Sequence, residues 1–599
     1  MENKTLPSRE EINQEYCWKL EDIFDTDEDW MNEYKKLELE LETVHSLKGT
    51  VAEGAQRLYK VLESVSRLEQ SFERIYVYAN QKYHQDTGNQ KYQEMSGKAA
   101  SLSARLSDAL AFLEPEVLAQ KEAVLETWMQ EYEPLRLYKR YLQEIMRRKG
   151  HVLSDEMEGL LAKASEMGNS PQQIFMAFNN ADIDFGTIPD ENGEDALLTN
   201  GRYTSFMESA DRKVRKAAFE RLYQVYGKNK NMLAATFEAN LKQAKFFSAA
   251  RHYGSTLEQA LAGGNIPLSV YTELIRAVHE KLPAMHQYVK LRRKLLGVNE
   301  LHMYDVYAPL VRGVEKKYSF EEAKELVRSG LEVLGEEYGS ILEEGFRNHW
   351  IDVYENQGKR SGAYSWGAYG THPYVLLNYS ENLNSVFTLA HEMGHAIHSY
   401  YSDRAQPYIY AGYRIFVAEV ASTVNEFLLI RYLMDRAESR EERAYLVNYL
   451  LEQFRGTIYR QTMFAEFEKM AHERLAEEGS LPAETLCSMY RELNQEYFGP
   501  DMVCDREISL EWARIPHFYT PFYVYQYATG FSAAIAIGRK ILDGQEGSVE
   551  NYKKFLQGGC SQDPIDLLKI CGVDMTDKKT VEDALEVFES CVRELEEIV

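Results

Sequence analysis

The densest chemical information in this chain lies in His391-Glu392-Met393-Gly394-His395, inside the run Phe387 to His398. Residues four apart on a helix lie about one turn apart on the same face, so both imidazoles can reach one metal ion. Glu392, one step from the first His, can stand beside that ion without ligating it. Two neutral nitrogens, a nearby carboxylate and an open coordination position are the makings of a catalytic zinc site of the metalloprotease type. Phe387, Leu389, Ala390, Met393, Ala396 and Ile397 give the segment the composition of a buried helix. The plainer alternative is a core helix whose histidines are satisfied by backbone or carboxylate partners.

A catalytic zinc takes a third protein ligand. A glycine three residues past the second His and a further His three residues later would supply it, but those places hold His398 and Tyr401. A Glu from a later helix is the other solution. The segment Arg414 to Phe427 is apolar and helix-like, and it carries Glu419 and Glu426 seven residues apart, hence on one face. Glu419 is the choice for the metal. Glu426 competes with it, or else orients a ligating His through the other ring nitrogen. A salt bridge is the bland reading of either. An acid among Phe416, Val417, Ala418 and Val420 is costly to bury unpaired, which favours a metal or a cationic partner. His398 lies on roughly the same face as His391 and His395 and is read as a supporting or core residue, since the ligand set is complete without it.

Several further segments, in order, carry a resemblance. They are Leu20-Glu21-Asp22-Ile23-Phe24, Gly358 to Tyr364, Pro373 to Tyr379, and Glu419 within Ala-Glu-Val-Ala-Ser. Next come Ile515-Pro516-His517-Phe518-Tyr519 running into Pro521 to Gly530, and Gly558-Gly559 followed by Gly572-Val573-Asp574-Met575. With the His391 motif, the chain resembles the thimet oligopeptidase-like family of zinc peptidases over essentially its whole length. That resemblance implies an endopeptidase acting on short, unstructured peptides. It implies a mainly α, two-lobed zincin-type fold with a deep substrate channel, a small β-sheet next to the zinc helix, and one zinc ion per chain.

The roles follow from what amide hydrolysis requires. Zinc activates a water, and Glu392 takes its proton and later delivers it to the leaving amine. The tetrahedral intermediate carries an oxyanion that needs a donor. The aromatic run after His517 offers Tyr519, Tyr523, Tyr525 and Tyr527. By resemblance, His517 and one or two of these tyrosines contact substrate and stabilise the oxyanion. Tyr527 is the first choice and Tyr523 the second, and Phe522 occupies a place where a tyrosine is sought. For any one of these tyrosines, packing in a core or lining a wall is the competing reading.

These groups must be positioned by the surrounding elements. Residues 16 to about 180 read as long amphipathic helices, including one that Ser154 caps without a complete capping box. Residues 181 to 206 read as a small strand-and-turn insertion, and helical patterning resumes from Arg212 to about 350. Tyr374 to Tyr379 reads as a strand just before the zinc helix, preceded by a turn at Gly367 to Gly370. Peptide substrates of zincin-type enzymes commonly add along a sheet edge here, although an ordinary core strand also fits. The expected division is an N-terminal helical lobe over 1–205 with the insertion near its end, then a catalytic domain over 206–599. The latter holds the zinc site (391–426) and a substrate-binding segment (515–530).

The chain has 599 residues, which suits more than one lobe. Its net charge of -26, from 68 basic and 94 acidic residues, argues against a nucleic-acid partner. A polar start from Glu2 to Glu15, no apolar run of membrane-spanning length and six scattered cysteines indicate a reduced, cytoplasmic protein with no membrane partner. Two alternatives remain open. One is an exopeptidase of the dipeptidyl carboxypeptidase type, needing a cation such as Arg514 for the terminal carboxylate. The other is a non-catalytic peptide-binding protein.

Overall fold

The computed structural model of the protein describes residues 6–311 and 316–599. Residues 1–5, the first part of the polar Glu2-to-Glu15 stretch, and residues 312–315 lie outside them. Helices dominate, and the strands are two or three residues long. The chain gathers into two compact units, each assembled from three separate stretches. The first comprises 1–150, 316–432 and 537–572; the second comprises 151–315, 433–536 and 573–599. Position 205 falls inside the second unit.

In the first unit, the helices Asp27–Val44, Ala55–Gln85 and Gln90–Leu110 pack around a core that includes Trp18, Trp30, Leu68 and Leu102. Trp30 is fully buried, and its ring N–H is satisfied by the Ile75 carbonyl at 2.9 Å. A large aromatic can be buried this way without leaving a polar group unpaired. The same core takes in Tyr374 and Leu376 from a three-stranded sheet. The sheet order is Ile351–Asp352, Tyr374–Leu376, Tyr364–Trp366, with the first pair parallel and the second antiparallel.

The strand read at 374–379 therefore forms over Tyr374–Leu376 only, and it is central. Its residues are fully buried, its neighbours occupy both sides, and it has no edge to offer a peptide. The edge nearest in sequence to the expected turn is Tyr364–Trp366, which is half-buried.

In the second unit, the 39-residue helix Arg212–Ala250 packs against the 3₁₀ segment Arg506–Arg514 and the helices Asn200–Met207 and Ser170–Ala177. The helix Arg440–Phe454 runs through a π-helical turn, Arg455–Tyr459, into Arg460–Glu478. Helix Lys579–Ile598 lies against Arg440–Phe454. The strand-and-turn insertion forms as Thr187–Pro189 paired antiparallel with Asp195–Leu197. Ser154 caps its helix by accepting the Met157 N–H. The completely buried Asp305 is held by Arg212 and Arg215 at 2.7 and 2.9 Å, the pairing that makes a buried charge tolerable.

Candidate metal centre

The helix Leu383–Ala405 begins at Asn382, whose side chain accepts the Ser385 N–H at 2.9 Å. It buries Phe387, Leu389, Ala390, Met393, Ala396 and Ile397, in keeping with their apolar composition, and Val386 with them. His391 and His395 fall on one face, and the helix Ile415–Asp435 brings Glu419 to them. Gly394 makes that approach possible. A Cβ there would lie 2.6 Å from Ser422 Cα and 2.8 Å from the Ala421 carbonyl oxygen, backbone atoms that cannot step aside. The two helices are tied together by Asn425, which donates to the Ala390 carbonyl at 3.1 Å and accepts from the Tyr338 hydroxyl at 2.8 Å.

The three candidate ligand atoms form a near-equilateral triangle. His391 Nε2 and His395 Nε2 are 3.2 Å apart, and Glu419 Oε2 lies 3.3 Å from the first and 3.4 Å from the second. A tetrahedral zinc with bonds of about 2.0–2.1 Å has ligand–ligand edges of about 3.3–3.4 Å, so these side chains fit such an ion. The electrostatics agree. Burial works against a proton on His391, but Glu419 and Glu426 outweigh it and lift its pKa to about 10. Hydrogen bonds from His391 and His395 hold Glu419 well below the usual carboxylate range. The site is thus built to hold positive charge between its nitrogens and carboxylates.

Glu426 meets the other ring nitrogen of His391, Nδ1. The two carboxylates that compete in the sequence thus face the two nitrogens of one imidazole, Glu419 on the side shared with His395 and Glu426 on the far side. Glu392 is only 6% exposed, and its Oε2 has no hydrogen-bond partner among the described residues. Burial raises its pKa, against the pull of His391 and His395. His398 is buried and stacked on Tyr413 with ring centroids 3.9 Å apart, outside the ligand triangle. Burial pushes it down to about 3, so it is neutral.

His517, Tyr523 and Tyr527 belong to the second unit and form one cluster there. Tyr527 Oη lies 3.5 Å from His517 Nε2, and the Tyr523 ring is edge-on to Tyr527 at 5.5 Å and parallel to His517 at 6.3 Å. These rings are at least partly exposed, whereas Tyr519 and Tyr525 are buried. Tyr519 stacks on Phe175 at 4.4 Å, and Tyr525 packs on Tyr271. Gly394 and Asn425 escaped sequence reasoning. A glycine inside an apolar helical run was the available signal for the first; nothing local marks the second.

The sequence profile of peptidase family M3 matches residues 205–587, and that of Oligopeptidase F matches residues 116–185. Oligopeptidase PepF of Bacillus subtilis (strain 168) is 46% identical over 594 residues, covering 99% of this chain and 89% of that one. An oligoendopeptidase F homolog of Lactococcus lactis subsp. lactis (strain IL1403) is 40% identical, covering 99% and 98%. The crystal structure of oligoendopeptidase-F from Enterococcus faecium superposes with a TM-score of 0.74 at 39% identity, covering 96% and 99%. These findings agree with the resemblance carried by the sequence, within the thimet oligopeptidase-like peptidases, to oligoendopeptidase F. The chain belongs to peptidase family M3, among the oligoendopeptidases F, and is a metalloendopeptidase.

Proposed function

We propose that the protein is a zinc-dependent endopeptidase that hydrolyses internal bonds of short oligopeptides, with His391, His395 and Glu419 holding one zinc ion per chain. The observation that carries this reading is the triangle of 3.2, 3.3 and 3.4 Å edges with Glu392 beside it. A zinc ion there would supply Lewis acidity and a water of lowered pKa. The remaining work belongs to the side chains. Glu426 accepts the Nδ1 proton of His391, favouring the tautomer whose Nε2 would offer its lone pair to a bound ion. Glu392 takes a proton from the attacking water and passes it to the leaving amine nitrogen. Burial raises its pKa, the direction that favours taking up the proton.

Substrate contact and stabilisation of the oxyanion are assigned to His517, Tyr523 and Tyr527, with Tyr527 the first choice for the oxyanion and Tyr523 the second. Their partial exposure, against the burial of Tyr519 and Tyr525, supports that choice. The half-buried edge strand Tyr364–Trp366 is where a peptide backbone would add as an extra strand. We place the protein in a reducing, cytoplasmic setting, where its cysteines stay as thiols; among the described residues no helix is long and apolar enough to cross a membrane.

The test is cleavage of internally quenched peptides blocked at both ends, by zinc-loaded wild type and Glu392→Gln. Cleavage by wild type that collapses in the variant while zinc is retained is the expected result. Equal activity in both would remove Glu392 from the mechanism. Cleavage only of peptides with free termini would replace the endopeptidase by an exopeptidase.

A further inference from the structure

The second unit holds a bulky residue in a backbone conformation that its type resists. Phe522 has φ 57°, in the left-handed region. Glycine or asparagine normally occupies such a turn position, and for an aromatic residue it is a genuine outlier. It persists only where the surroundings over-determine it. Here they do. Phe522 is 3% exposed, and its ring packs on Tyr271 and His472 at centroid distances of 5.7 and 4.6 Å. Its N–H donates to Glu468 Oε1 at 2.6 Å.

Glu468 is itself unusual. It lies on helix Arg460–Glu478, is 0% exposed, and has no ion-pair partner among the described residues. Its other oxygen, Oε2, has no hydrogen-bond partner there, and neither does Nε2 of His472 one helical turn away. Burying a carboxyl with a single hydrogen bond is costly, so a core position needing only volume would be better filled by an apolar side chain. The bond that Glu468 does make goes to the strained residue.

We infer that Glu468 is a positioning residue. By fastening the Phe522 N–H it holds the Pro521–Phe522 turn left-handed, and the turn sets where Tyr523 stands relative to His517 and Tyr527. The turn joins the helical segment Pro516–Tyr519, which carries His517, to helix Tyr525–Leu542, which carries Tyr527. Releasing Phe522 to an ordinary φ would redirect the chain at Tyr523 and break its parallel packing on His517. Burial also raises the Glu468 carboxyl to about 8, with the Phe522 N–H opposing, so at neutral pH the fastening needs no counter-ion. The inference rests on the reading of His517, Tyr523 and Tyr527 as substrate-contacting groups.

The experiment uses full-length, zinc-loaded enzyme and three measurements: kcat and KM on the blocked peptide, thermal stability, and hydrogen–deuterium exchange over residues 520–527. Glu468→Leu is expected to exchange at least about tenfold faster there, with kcat down about 10- to 100-fold and KM within about threefold. Glu468→Gln, whose amide oxygen accepts the same N–H, is expected to stay near wild type in both. If the Leu variant does not fold, Glu468→Asp, one methylene short of the bond, replaces it. Unchanged exchange in Glu468→Leu, or in Glu468→Asp where it replaces it, overturns the inference whatever kcat does. Faster exchange with wild-type kcat also overturns it, because the turn would then be held by Glu468 without serving the reaction. Tyr523→Phe and Tyr527→Phe test the underlying reading separately: wild-type kcat in both removes the tyrosines from the reaction, independently of what holds the turn.

Discussion

At the scale of single residues, the site separates functions that share one functional group. Glu392, Glu419 and Glu426 are all carboxylates around His391, yet each has a different environment. Glu419 meets two imidazole nitrogens, Glu426 meets one, and Glu392 keeps an oxygen with no partner among the described residues. Their substitutions should therefore fail differently. On the proposed mechanism Glu392→Gln should keep the metal and lose about 10²- to 10⁴-fold in kcat, since only proton transfer would be removed. Glu426→Gln leaves the three ligands intact but loosens the orientation of His391, and its zinc affinity should fall about 10- to 100-fold. Competition with a chelator of known affinity reads the second, and activity at saturating zinc reads the first. If Glu426→Gln binds zinc as tightly as wild type, the Nδ1 contact is structural and has no bearing on the metal.

At the scale of elements, the decisive feature is the close crossing of the helices Leu383–Ala405 and Ile415–Asp435 at Gly394. Elsewhere a helix-interior glycine is a liability of about 0.5–1 kcal/mol relative to alanine. Gly97, in the middle of Gln90–Leu110 with nothing within 4 Å of a built Cβ, is such a case, and Gly97→Ala should stabilise by about that amount. Gly394→Ala should have the opposite sign, because the new methyl meets Ser422 Cα at 2.6 Å. Prying the helices apart moves Glu419 from His391 and His395, so zinc affinity should drop along with the melting temperature. Thermal unfolding with and without zinc compares the two substitutions directly.

The crossing also shows what a sequence discloses. The His391–His395 spacing was legible because helical periodicity alone puts the two side chains on one face. That Glu419 and Glu426 share a face was legible for the same reason. Which nitrogen each would meet was not, since it depends on how closely a second helix approaches. The central place of Tyr374–Leu376 was hidden for a related reason: a short apolar run reads alike in the middle and at the edge of a sheet. Nor does local patterning reveal that 1–150, 316–432 and 537–572 gather into one unit.

At the scale of the molecule, the dominant number is the net charge of -26, and its effect on stability must be separated from that of a few buried acids. Burial lifts Glu73 to about 7, with the like charge of Glu69 adding to it and the Tyr369 N–H opposing. Burial and the charge of Glu73 lift Asp403 to about 7, and burial lifts Glu468 to about 8. The ordinary values are 4.5 for Glu and 3.8 for Asp. Each folded-state pKa is raised, so the folded protein binds these protons more tightly than the unfolded chain. The resulting stability is fully present below the ordinary values and is lost as pH rises through 7 to 8. The zinc-loaded protein should therefore melt at progressively lower temperature between about pH 5 and 8.5. Repulsion among surface carboxylates has largely reached its plateau by pH 6 and is screened at high salt, whereas buried groups are screened much less. The decline should accordingly survive 1 M salt. Glu73→Gln and Asp403→Asn should each flatten it, and the double variant should flatten it by less than the two effects combined, because the charge of Glu73 is part of what raises Asp403. Melting curves that run parallel in wild type and both variants would mean these acids ionise in the folded protein as they do in water, and the alkaline loss would then belong to the surface charge.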